Sequence, residues 1–393
     1  MFSINKFQIL LSYFSPKFIL GEIKIEEYWH EQLVTIKIIW ILTFFFLFLF
    51  FAFFSVLIVS RVVKNIQKRK RERLKKKFQT PFSFYLFDDN TQKALLENNY
   101  NHIIDLFGRH NIKKAFNRYV LRKELMRLHN NYSGDIAVKL KQLFSILGFD
   151  KEVKNKIMSR RWNIKANAIN EAAQMNLVQY SEYILNLINH PNSVVRTEAR
   201  VASVKLNKKE PFTFFNNLQF NMSVWDQIRI HDALMLYENA EVPLMGKWLF
   251  SSNESVVVFS LKIIGYYNQE EEINQVIECL NNPSENIKIQ AVKTLGELGS
   301  KQSLATLFDC LKDEKDNKKI IIQTLQSLKL IGIFDTDEDK IKEFLFTNDY
   351  DIIFSSCLTL KSAPNGIAIL EKNISEADES VVNIMKYALS FTN

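Results

Sequence analysis

Two short stretches of the sequence contain residue types that can hold phosphate or calcium. The segment from Gly296 to Lys301 combines glycine with lysine, but its spacing is not that of a phosphate loop, and it falls at a predicted helix end, where glycine is the expected stop. Aspartates alternate over residues 335–339 as in a calcium loop, yet Lys340 stands where glycine is needed and Phe346 where the bidentate glutamate belongs. We interpret the two stretches as a helix end and an acidic turn.

Nucleophile and thiol chemistry also lack a signature. The sequence contains no nucleophile elbow and no Cys-x-x-Cys pair. Its cysteines, Cys279, Cys310 and Cys357, are far apart, odd in number and set in apolar helical patterns. This indicates small buried side chains in a reducing compartment rather than disulfides or a zinc site. We therefore predict no catalytic residue, no metal and no cofactor, and we expect that the chain is not an enzyme.

An uncharged stretch near the N-terminus predicts one membrane-spanning helix. Residues 38–60 carry no charged side chain and include Trp40 and eight phenylalanines between Phe44 and Phe54. At about 1.5 Å per residue this stretch extends roughly 35 Å, enough to cross a hydrocarbon core of about 30 Å. No cleavage pattern follows it, so we expect it to stay as an anchor. Residues 1–37 would form a short segment on the outer side, with 7–20 interfacial or packed against the anchor.

The charges that flank the apolar stretch predict its orientation. Residues 1–37 hold four Lys against four Glu, whereas the segment 61–79 is strongly basic with Glu72 as its one acidic residue. By the positive-inside rule the C-terminal side is cytoplasmic. The frequent use of Lys, Asn, Ile and Phe suggests an AT-rich genome, and the absence of further targeting signals agrees with a bacterial inner membrane. We expect the basic segment to stop transfer and to lie on anionic lipid. Its basic residues are Arg61, Lys64, Lys68, Arg69, Lys70, Arg71, Arg73, Lys75, Lys76 and Lys77.

The rest of the chain is polarised in charge and helical in pattern. Residues 1–104 carry a net charge of about +7, residues 105–161 about +9 and residues 162–393 about −8. Gly and Pro number 10 and 7, which disfavours sheet folds with many tight turns. We predict an all-α fold, with residues 80–160 as a helical N-terminal cap and residues 161–393 as repeats. Thr80 to Phe87 is expected to break the helix, as a linker or an aromatic lip.

One register recurs through residues 161–393. Pro191, then Val195-Arg196 and Ala199 have the same spacing as Pro283, then Ile287-Lys288 and Ala291. Weaker copies are spaced about 28–35 residues apart, a period typical of stacked supersecondary units. Apolar residues step by three or four within each copy, and prolines and asparagines separate paired helices, so each unit is predicted to be a helical hairpin. The weaker copies are Ile164-Lys165 with Ala168, Ile228-Arg229 with Asp232, Val256-Val257 with Ser260, Asn317-Lys318 with Ile321, and Ile352-Ile353 with Ser356.

This pattern resembles the HEAT repeat in its short form, over roughly residues 160–370. The resemblance implies an α-solenoid of antiparallel helix pairs, and the whole arrangement resembles bacterial membrane-anchored HEAT-repeat proteins. In that family the basic residue of the inner helix joins a ladder of polar contacts between repeats. The ladder role would carry over to Lys165, Arg196, Arg229 and Lys288, and Val257 would interrupt it.

Two activities known for HEAT-like folds find little support in these residues. Iron sites in such folds use repeated His-Glu pairs on inner helices, whereas here His30-Glu31 lies outside the repeats and His231-Asp232 is isolated. Base-excising relatives bind DNA, and a basic surface within residues 109–161 keeps nucleic-acid binding open beside a cap that faces anionic lipid. The basic residues concerned are Arg109, Lys113, Lys114, Arg118, Arg122, Lys123, Arg127, Arg160 and Arg161.

The function predicted from these features is a noncatalytic scaffold on the membrane. Solenoids bind partner proteins on a long concave face, and Trp162, Trp225 and Trp248 are the candidate contacts, because aromatic residues often anchor interfaces. A partnership with a membrane enzyme such as an envelope-polysaccharide glycosyltransferase follows by analogy with membrane-anchored repeat proteins. The alternatives are a HEAT-fold enzyme with a dispersed site and a nucleic-acid-binding solenoid. No small-molecule ligand is expected.

Overall fold

The computed structural model describes residues 34–235, 242–375 and 377–390, and all regular elements in these ranges are helical. The segment predicted to be interfacial, residues 7–20, lies outside the described residues. The chain divides into two compact units, residues 1–124 and residues 125–393. Residues 125–160, predicted as part of the cap, therefore belong to the same unit as the repeats.

A single helix, α1 (Val34–Phe87), contains both the apolar stretch and the basic segment. Its 54 residues extend about 81 Å, and its apolar part is fully exposed, as expected of a surface that faces lipid. Two hydroxyl residues within this part, Thr43 and Ser55, donate to the carbonyls of Ile39 and Phe51 at 2.8 Å. Their polar atoms are thus satisfied inside the helix, which a bilayer interior demands. Among the described residues, α1 alone is long and apolar enough to cross a membrane.

The predicted break at residues 80–87 was wrong, because α1 continues through Pro81 to Phe87. Proline removes one backbone hydrogen bond and costs a helix interior about 3 kcal/mol. Large side chains on both sides of the proline lie on one face of the helix, and all of them are buried. They are Phe78, Phe82, Tyr85 and Leu86. Burial of each large apolar side chain contributes about 1.5–3 kcal/mol, so packing of this face outweighs the cost of the proline.

Four further helices complete the first unit, the last of them running into the second. Asp88 ends α1 and caps the next helix by accepting from the amide of Thr91 at 2.9 Å. Phe82 packs edge-on against Phe107 with the ring centroids 5.3 Å apart, which fixes α1 to the short helices that follow. These helices are α2 (Asp89–Leu96), α3 (Tyr100–Leu106), α4 (Arg109–Lys113) and α5 (Ala115–Asn131).

The second unit is a stack of helical hairpins. In each hairpin a short outer helix packs on the inner helix that follows it, and the inner helices pack on one another along the stack. The inner helices are α8 (Trp162–Gln174), α10 (Ser193–Leu206), α11 (Val224–Met235), α12 (Glu254–Tyr266), α14 (Glu285–Leu298), α16 (Lys318–Ile331), α18 (Tyr350–Lys361) and α20 (Glu379–Ser390). The others are α6 (Gly134–Ile146), α7 (Phe149–Ile157), α9 (Ser181–Leu185), α13 (Ile273–Glu278), α15 (Leu304–Asp313), α17 (Glu338–Lys342) and α19 (Gly366–Ile374).

Short 3-10 turns complete the hairpins where the chain has no longer outer helix. Gly246–Trp248 occupies the outer position before α12, and Thr213–Asn217 precedes α11. Several inner helices begin at a side-chain cap. Asn192 and Asn253, for example, each accept a hydrogen bond from backbone amides of the first turn. The cap satisfies amides that the helix itself leaves without acceptors.

A ladder of buried hydroxyl groups joins successive inner helices. Thr294 of α14 donates to the carbonyl of Leu261 in α12 at 3.0 Å. The hydroxyls of Ser327 in α16 and Thr359 in α18 likewise donate to carbonyls of the preceding inner helix, at 2.8 and 2.9 Å. All three hydroxyl residues are buried, so each bond fixes the offset between two helices in a region without water.

The packing between α11 and α12 differs from that of the other successive inner helices. Their backbones make few close approaches, whereas α10 packs closely on α11 and α12 on α14. Side chains bridge the two helices instead. Lys262 Nζ donates to Gln227 Oε1 at 2.9 Å, and the ring of His231 packs edge-on against Tyr266 at 4.5 Å. We call this the α11/α12 seam.

The buried cysteines give a direct test of the packing. Cys279, Cys310 and Cys357 are free and buried, and burial raises the pKa of Cys279 to about 11 and that of Cys357 to about 12. At about pH 8 a thiol of pKa 11 is ionised to only about one part in a thousand, and the thiolate is the reactive form. We expect the folded protein to resist maleimide labelling and the denatured protein to take up three labels, as counted by mass spectrometry. Rapid labelling of the native protein would contradict the buried placement.

Candidate functional site

The exposed sides of the stacked inner helices form one surface, here named the inner-helix face. Its N-terminal part carries a polar network that crosses three helices. Arg229 of α11 donates twice to the carboxylate of Glu198 in α10, at 2.6 and 3.1 Å. Glu198 also accepts from the amide of Asn170 in α8 at 3.1 Å, and Gln174 donates to Asn170 at 2.6 Å. The network is partly buried and aligns three repeats.

Electrostatics in this network follow from the pairing and from burial. The hydrogen bond to Glu198 raises the pKa of Arg229, so this guanidinium is held in its charged form. Burial lowers the pKa of neighbouring Lys205, and the charge on Arg229 lowers it further, while Glu198 and Asp232 act in the opposite direction. These paired charges fix the position of α11 against α10. A bidentate arginine–carboxylate pair, such as Arg229 with Glu198, is among the strongest of such hydrogen-bonded pairs.

The C-terminal part of the inner-helix face is apolar. A groove of about 340 Å³ lies between α16 and α18, and Leu330, at its rim, is 65% exposed. Phe354 stacks between Tyr350 and Tyr387, at centroid distances of 6.0 and 5.6 Å, and both tyrosines are about half exposed. The groove is lined by Gln326, Lys329, Leu330, Phe354, Ser355, Leu358 and Thr359.

A second cavity, of about 470 Å³, lies at the turns before α14 and α16 and is bordered by charged residues, several of them in ion pairs. Lys288 pairs with Glu314, and Lys319 pairs with Glu285 at 3.4 Å. Lys318 bridges two aspartates of the next turn at 2.8 and 2.6 Å. Two of the acidic residues that line the cavity, Glu285 and Glu314, are thus paired with lysines. Within the described ranges there is no group of His, Cys, Asp and Glu that could hold a metal ion.

The four predicted ladder residues behave differently from one another. Arg229 and Lys288 each reach a carboxylate contributed by a neighbouring hairpin. Arg196 instead donates to the carbonyls of His190 and Pro191 in its own turn, at 2.9 and 2.8 Å, and its guanidinium lies 4.4 Å from the ring centroid of Phe220. Arg196 therefore contacts the next hairpin through a ring rather than a polar group.

The remaining positions of the expected ladder carry no charge pair between repeats. Lys165 is half-buried and makes no ion pair among the described residues. Val257, where the basic residue is missing, is 1% exposed and belongs to the core. Thr294, Ser327 and Thr359 provide the repeating link instead. Sequence inspection missed them because a buried hydroxyl looks like an ordinary small core residue until its acceptor is known.

The three tryptophans divide into two exposed residues and one buried residue. Trp162 and Trp225 are 50% and 64% exposed and stand in the first turns of α8 and α11. Trp248 is 5% exposed and packs against Phe212 and Phe215, with ring centroids 5.5 and 5.6 Å away. The candidacy of Trp248 as a partner contact was wrong, because its hairpin has only a 3-10 turn on the outer side and large rings fill the space.

A buried ion pair links α10 to α11 and was not anticipated from the sequence. Arg200 is fully buried and donates to Asp226 at 3.2 Å and to the carbonyl of Phe220 at 2.9 Å. Asp226 also accepts from the amide of Ser223 at 2.9 Å and from the hydroxyl of Thr197. Burial lowers the pKa of Arg200, and Asp226 opposes this effect. The guanidinium of Arg200 is therefore a buried charge that is stabilised by the carboxylate of Asp226.

Comparison with known proteins agrees with the hairpin architecture. Residues 242–329 match the family described as HEAT repeats, a range that covers α12, α14 and most of α16. No curated protein matches the chain.

Several solved structures are similar to the chain at low identity. The structure of YibA from Escherichia coli is 17% identical to this chain, with a TM-score of 0.36. The matched region covers 63% of this chain and 97% of the YibA chain, and coverages are given below in the same order. An engineered protein has 11% identity, coverages of 82% and 95%, and a TM-score of 0.34. The complex of CpcE and CpcF of phycocyanin lyase from Nostoc sp. PCC7120 has 13% identity, coverages of 71% and 92%, and a TM-score of 0.23. Such TM-scores carry no information on activity or partners. Residues 242–329 therefore form HEAT repeats, within a longer stack of helical hairpins that has the fold of an α-solenoid.

Proposed function

We propose that the protein is a noncatalytic, membrane-tethered scaffold that binds a partner protein at the apolar part of its inner-helix face. The observation that carries this proposal is the groove beside Leu330 and Phe354, with stacked tyrosines exposed around it. Exposed aromatic and aliphatic side chains gathered around a groove are typical of protein interfaces, where such residues anchor the partner. HEAT-type solenoids in general act as repeat scaffolds for protein interaction.

The tether is helix α1. Its apolar part faces outward along its whole length, and ten basic residues follow it. By the positive-inside rule we place the N-terminus outside and the solenoid in the cytoplasm, and we assign the protein to a bacterial inner membrane. A partner in or on the same membrane suits this arrangement. A membrane enzyme such as an envelope-polysaccharide glycosyltransferase is the class that analogy with other membrane-anchored repeat proteins favours.

An enzyme with a dispersed site is the weaker alternative. Catalysis needs polar groups that converge in a cavity shielded from water. The groove between α16 and α18 is lined mainly by apolar atoms, and the cavity at the turns before α14 and α16 is bordered by charged residues of which Glu285, Glu314 and Lys319 are in ion pairs. Both features favour a binding surface over a reaction site.

The proposal is tested by affinity capture from gently solubilised membranes, with mass spectrometry of what co-purifies. The informative variant is Leu330→Glu, which places a charge at the rim of the groove. Its matched control is Ile367→Glu on outer helix α19, because both leucine and isoleucine are exposed aliphatic side chains. A hot-spot residue contributes about 2 kcal/mol or more, so the partner recovered with Leu330→Glu should fall about 30-fold.

The two variants together separate the possible results. A partner retained by Ile367→Glu and lost by Leu330→Glu supports the proposed site, and its identity shows whether it is a membrane enzyme. Equal recovery by both variants would place the binding surface elsewhere. Recovery of no stoichiometric protein with the unmodified chain would remove the scaffold proposal.

A further inference from the structure

The first unit concentrates positive charge more strongly than an anchor needs. Residues 61–124 contain 17 Lys and Arg against six Asp and Glu. Lys75 pairs with Glu72 at 3.1 Å and Arg109 pairs with Asp105 at 2.9 Å, and the region as a whole keeps a large excess of positive charge. The side chains of residues 61–73 of α1 are all exposed, and the first partly buried side chain after them is that of Leu74. Like charges three and four residues apart repel one another along such a helix.

The continuity of α1 places most of this charge away from the bilayer. If the apolar stretch ends at Ser60, Arg61 and Lys64 lie within about 6 Å of that point along the helix axis, but Arg69 lies about 14 Å and Lys77 about 26 Å from it. At physiological ionic strength the field of anionic lipid decays over a Debye length of about 8 Å. A tilt of about 40° would still leave Lys77 about 20 Å above the surface. With the bilayer surface at Ser60, only the first turn of the basic segment would lie within a Debye length of the lipid.

A second basic helix packs beside the distal half of this segment. Lys70 Nζ lies 5.0 Å from the ring centroid of Phe116, and the guanidinium of Arg71 lies 5.8 Å from that of Tyr119. Both rings belong to α5, and Lys113 at the end of α4 and Lys114 just before α5 add further positive charge. The cation–ring contacts hold two positively charged helices side by side, and they enlarge the charged surface beyond a single helix.

We propose that this basic surface, formed by residues 68–77 of α1 and 113–123 around α5, binds nucleic acid through its phosphates. Residues 61–77 present ten cations over about 24 Å, a linear density of the order of that of a nucleic-acid strand, with one phosphate per about 3.4 Å. The stretch from Gln67 to Lys77 contains one apolar residue, Leu74, which is half-buried. A protein interface would need an apolar, charge-poor core, whereas phosphate binding needs only donors and positive charge.

The binding should not depend on base sequence. The surface consists of Lys and Arg on exposed helix faces, and such side chains contact phosphates without reading base edges. The inference rests on the proposed cytoplasmic placement of the unit, but it does not involve the groove beside Leu330. Failure of one proposal therefore leaves the other to be judged on its own test.

The test uses the full-length protein in nanodiscs of zwitterionic lipid, so that anionic headgroups do not compete. A labelled duplex and a labelled single-stranded RNA of about 30 nucleotides are titrated, and fluorescence anisotropy is followed as salt rises from about 50 to about 300 mM. The distal variant is Arg69→Gln/Arg73→Gln/Lys76→Gln/Lys77→Gln, all at exposed positions. The proximal control is Arg61→Gln/Lys64→Gln, also exposed and also basic.

We expect the unmodified protein to bind both probes, with affinity falling steeply as salt rises. The distal variant should weaken binding about tenfold or more and reduce the slope of log K against log salt by about 2 or more, whereas the proximal control should change affinity less than about threefold. Equal binding of poly-glutamate of matched charge, binding restricted to nanodiscs that contain anionic lipid, or loss of affinity equal in both variants would each overturn the proposal. Far-UV circular dichroism of the variants confirms that their helices are retained.

Discussion

Replacement of Asp226 by alanine is expected to lower the free energy of unfolding of the repeat unit by about 3–5 kcal/mol. The substitution leaves the guanidinium of Arg200 charged, fully buried and without the carboxylate that it contacts at 3.2 Å. Asp226 also accepts a hydrogen bond from the amide of Ser223, the residue just before α11, and the substitution removes this acceptor at the start of the helix. Urea denaturation of the full-length protein in detergent micelles, followed by far-UV circular dichroism, measures the loss.

Two further variants separate the buried charge from the other roles of Asp226. Asp232→Ala changes an exposed aspartate of the same helix and should alter stability by less than about 0.5 kcal/mol. Arg200→Met/Asp226→Ala removes both charges and should recover much of the loss, because an apolar pair avoids the desolvation of two ions. A double variant as unstable as Asp226→Ala would show that the cap and the packing, rather than the orphaned charge, dominate the effect.

Gly296→Ala is expected to destabilise the stack by about 1–3 kcal/mol, although alanine favours a helix over glycine by about 1 kcal/mol. A Cβ at Gly296 would lie 2.6 Å from Ser327 Oγ and 2.8 Å from Ser327 Cα, so the backbone of α16 must move away from α14. That movement also strains the bond from Ser327 to the carbonyl of Val292. The change should appear as a lower urea midpoint in the same assay.

Gly265→Ala is the matched control for this prediction. Gly265 lies in α12, 31 residues before Gly296, but the atom nearest to its added Cβ is Glu297 Oε2, at the end of a flexible side chain. That side chain can swing away, so Gly265→Ala should be neutral or stabilising by up to about 1 kcal/mol. If both alanine variants were equally stable, close approach of α14 and α16 would not be the reason for glycine at position 296.

The fold class and the hairpin repeat could be predicted from the sequence because both depend on local pattern. Helical spacing of apolar residues and the shared register of residues 191–199 and 283–291 predicted the paired helices that the structure contains. The helix through Pro81 could not be predicted in this way. Local propensity places a break at proline, and the opposing term, burial of Phe78, Phe82 and Tyr85, depends on tertiary contacts that no local window contains.

The candidate site was less accessible to sequence reasoning. An exposed and a buried tryptophan look alike in a sequence, and Trp225 and Trp248 turned out to be one of each. The groove beside Leu330 depends on the offset between α16 and α18, which the hydroxyl of Thr359 helps to fix. The charge of residues 61–77 was evident from composition, but its place on one continuous helix with the apolar stretch followed only from the structure.

The α11/α12 seam has a mechanical consequence. A stack of closely packed helices is stiff wherever backbones touch, and compliance concentrates where long side chains such as Lys262 and Gln227 make the connection. Under a pulling or bending load the stack should therefore deform first at the seam, as two stiff blocks about one joint. A ligand that spans both blocks would set the angle of the joint, and one that contacts a single block would leave it free.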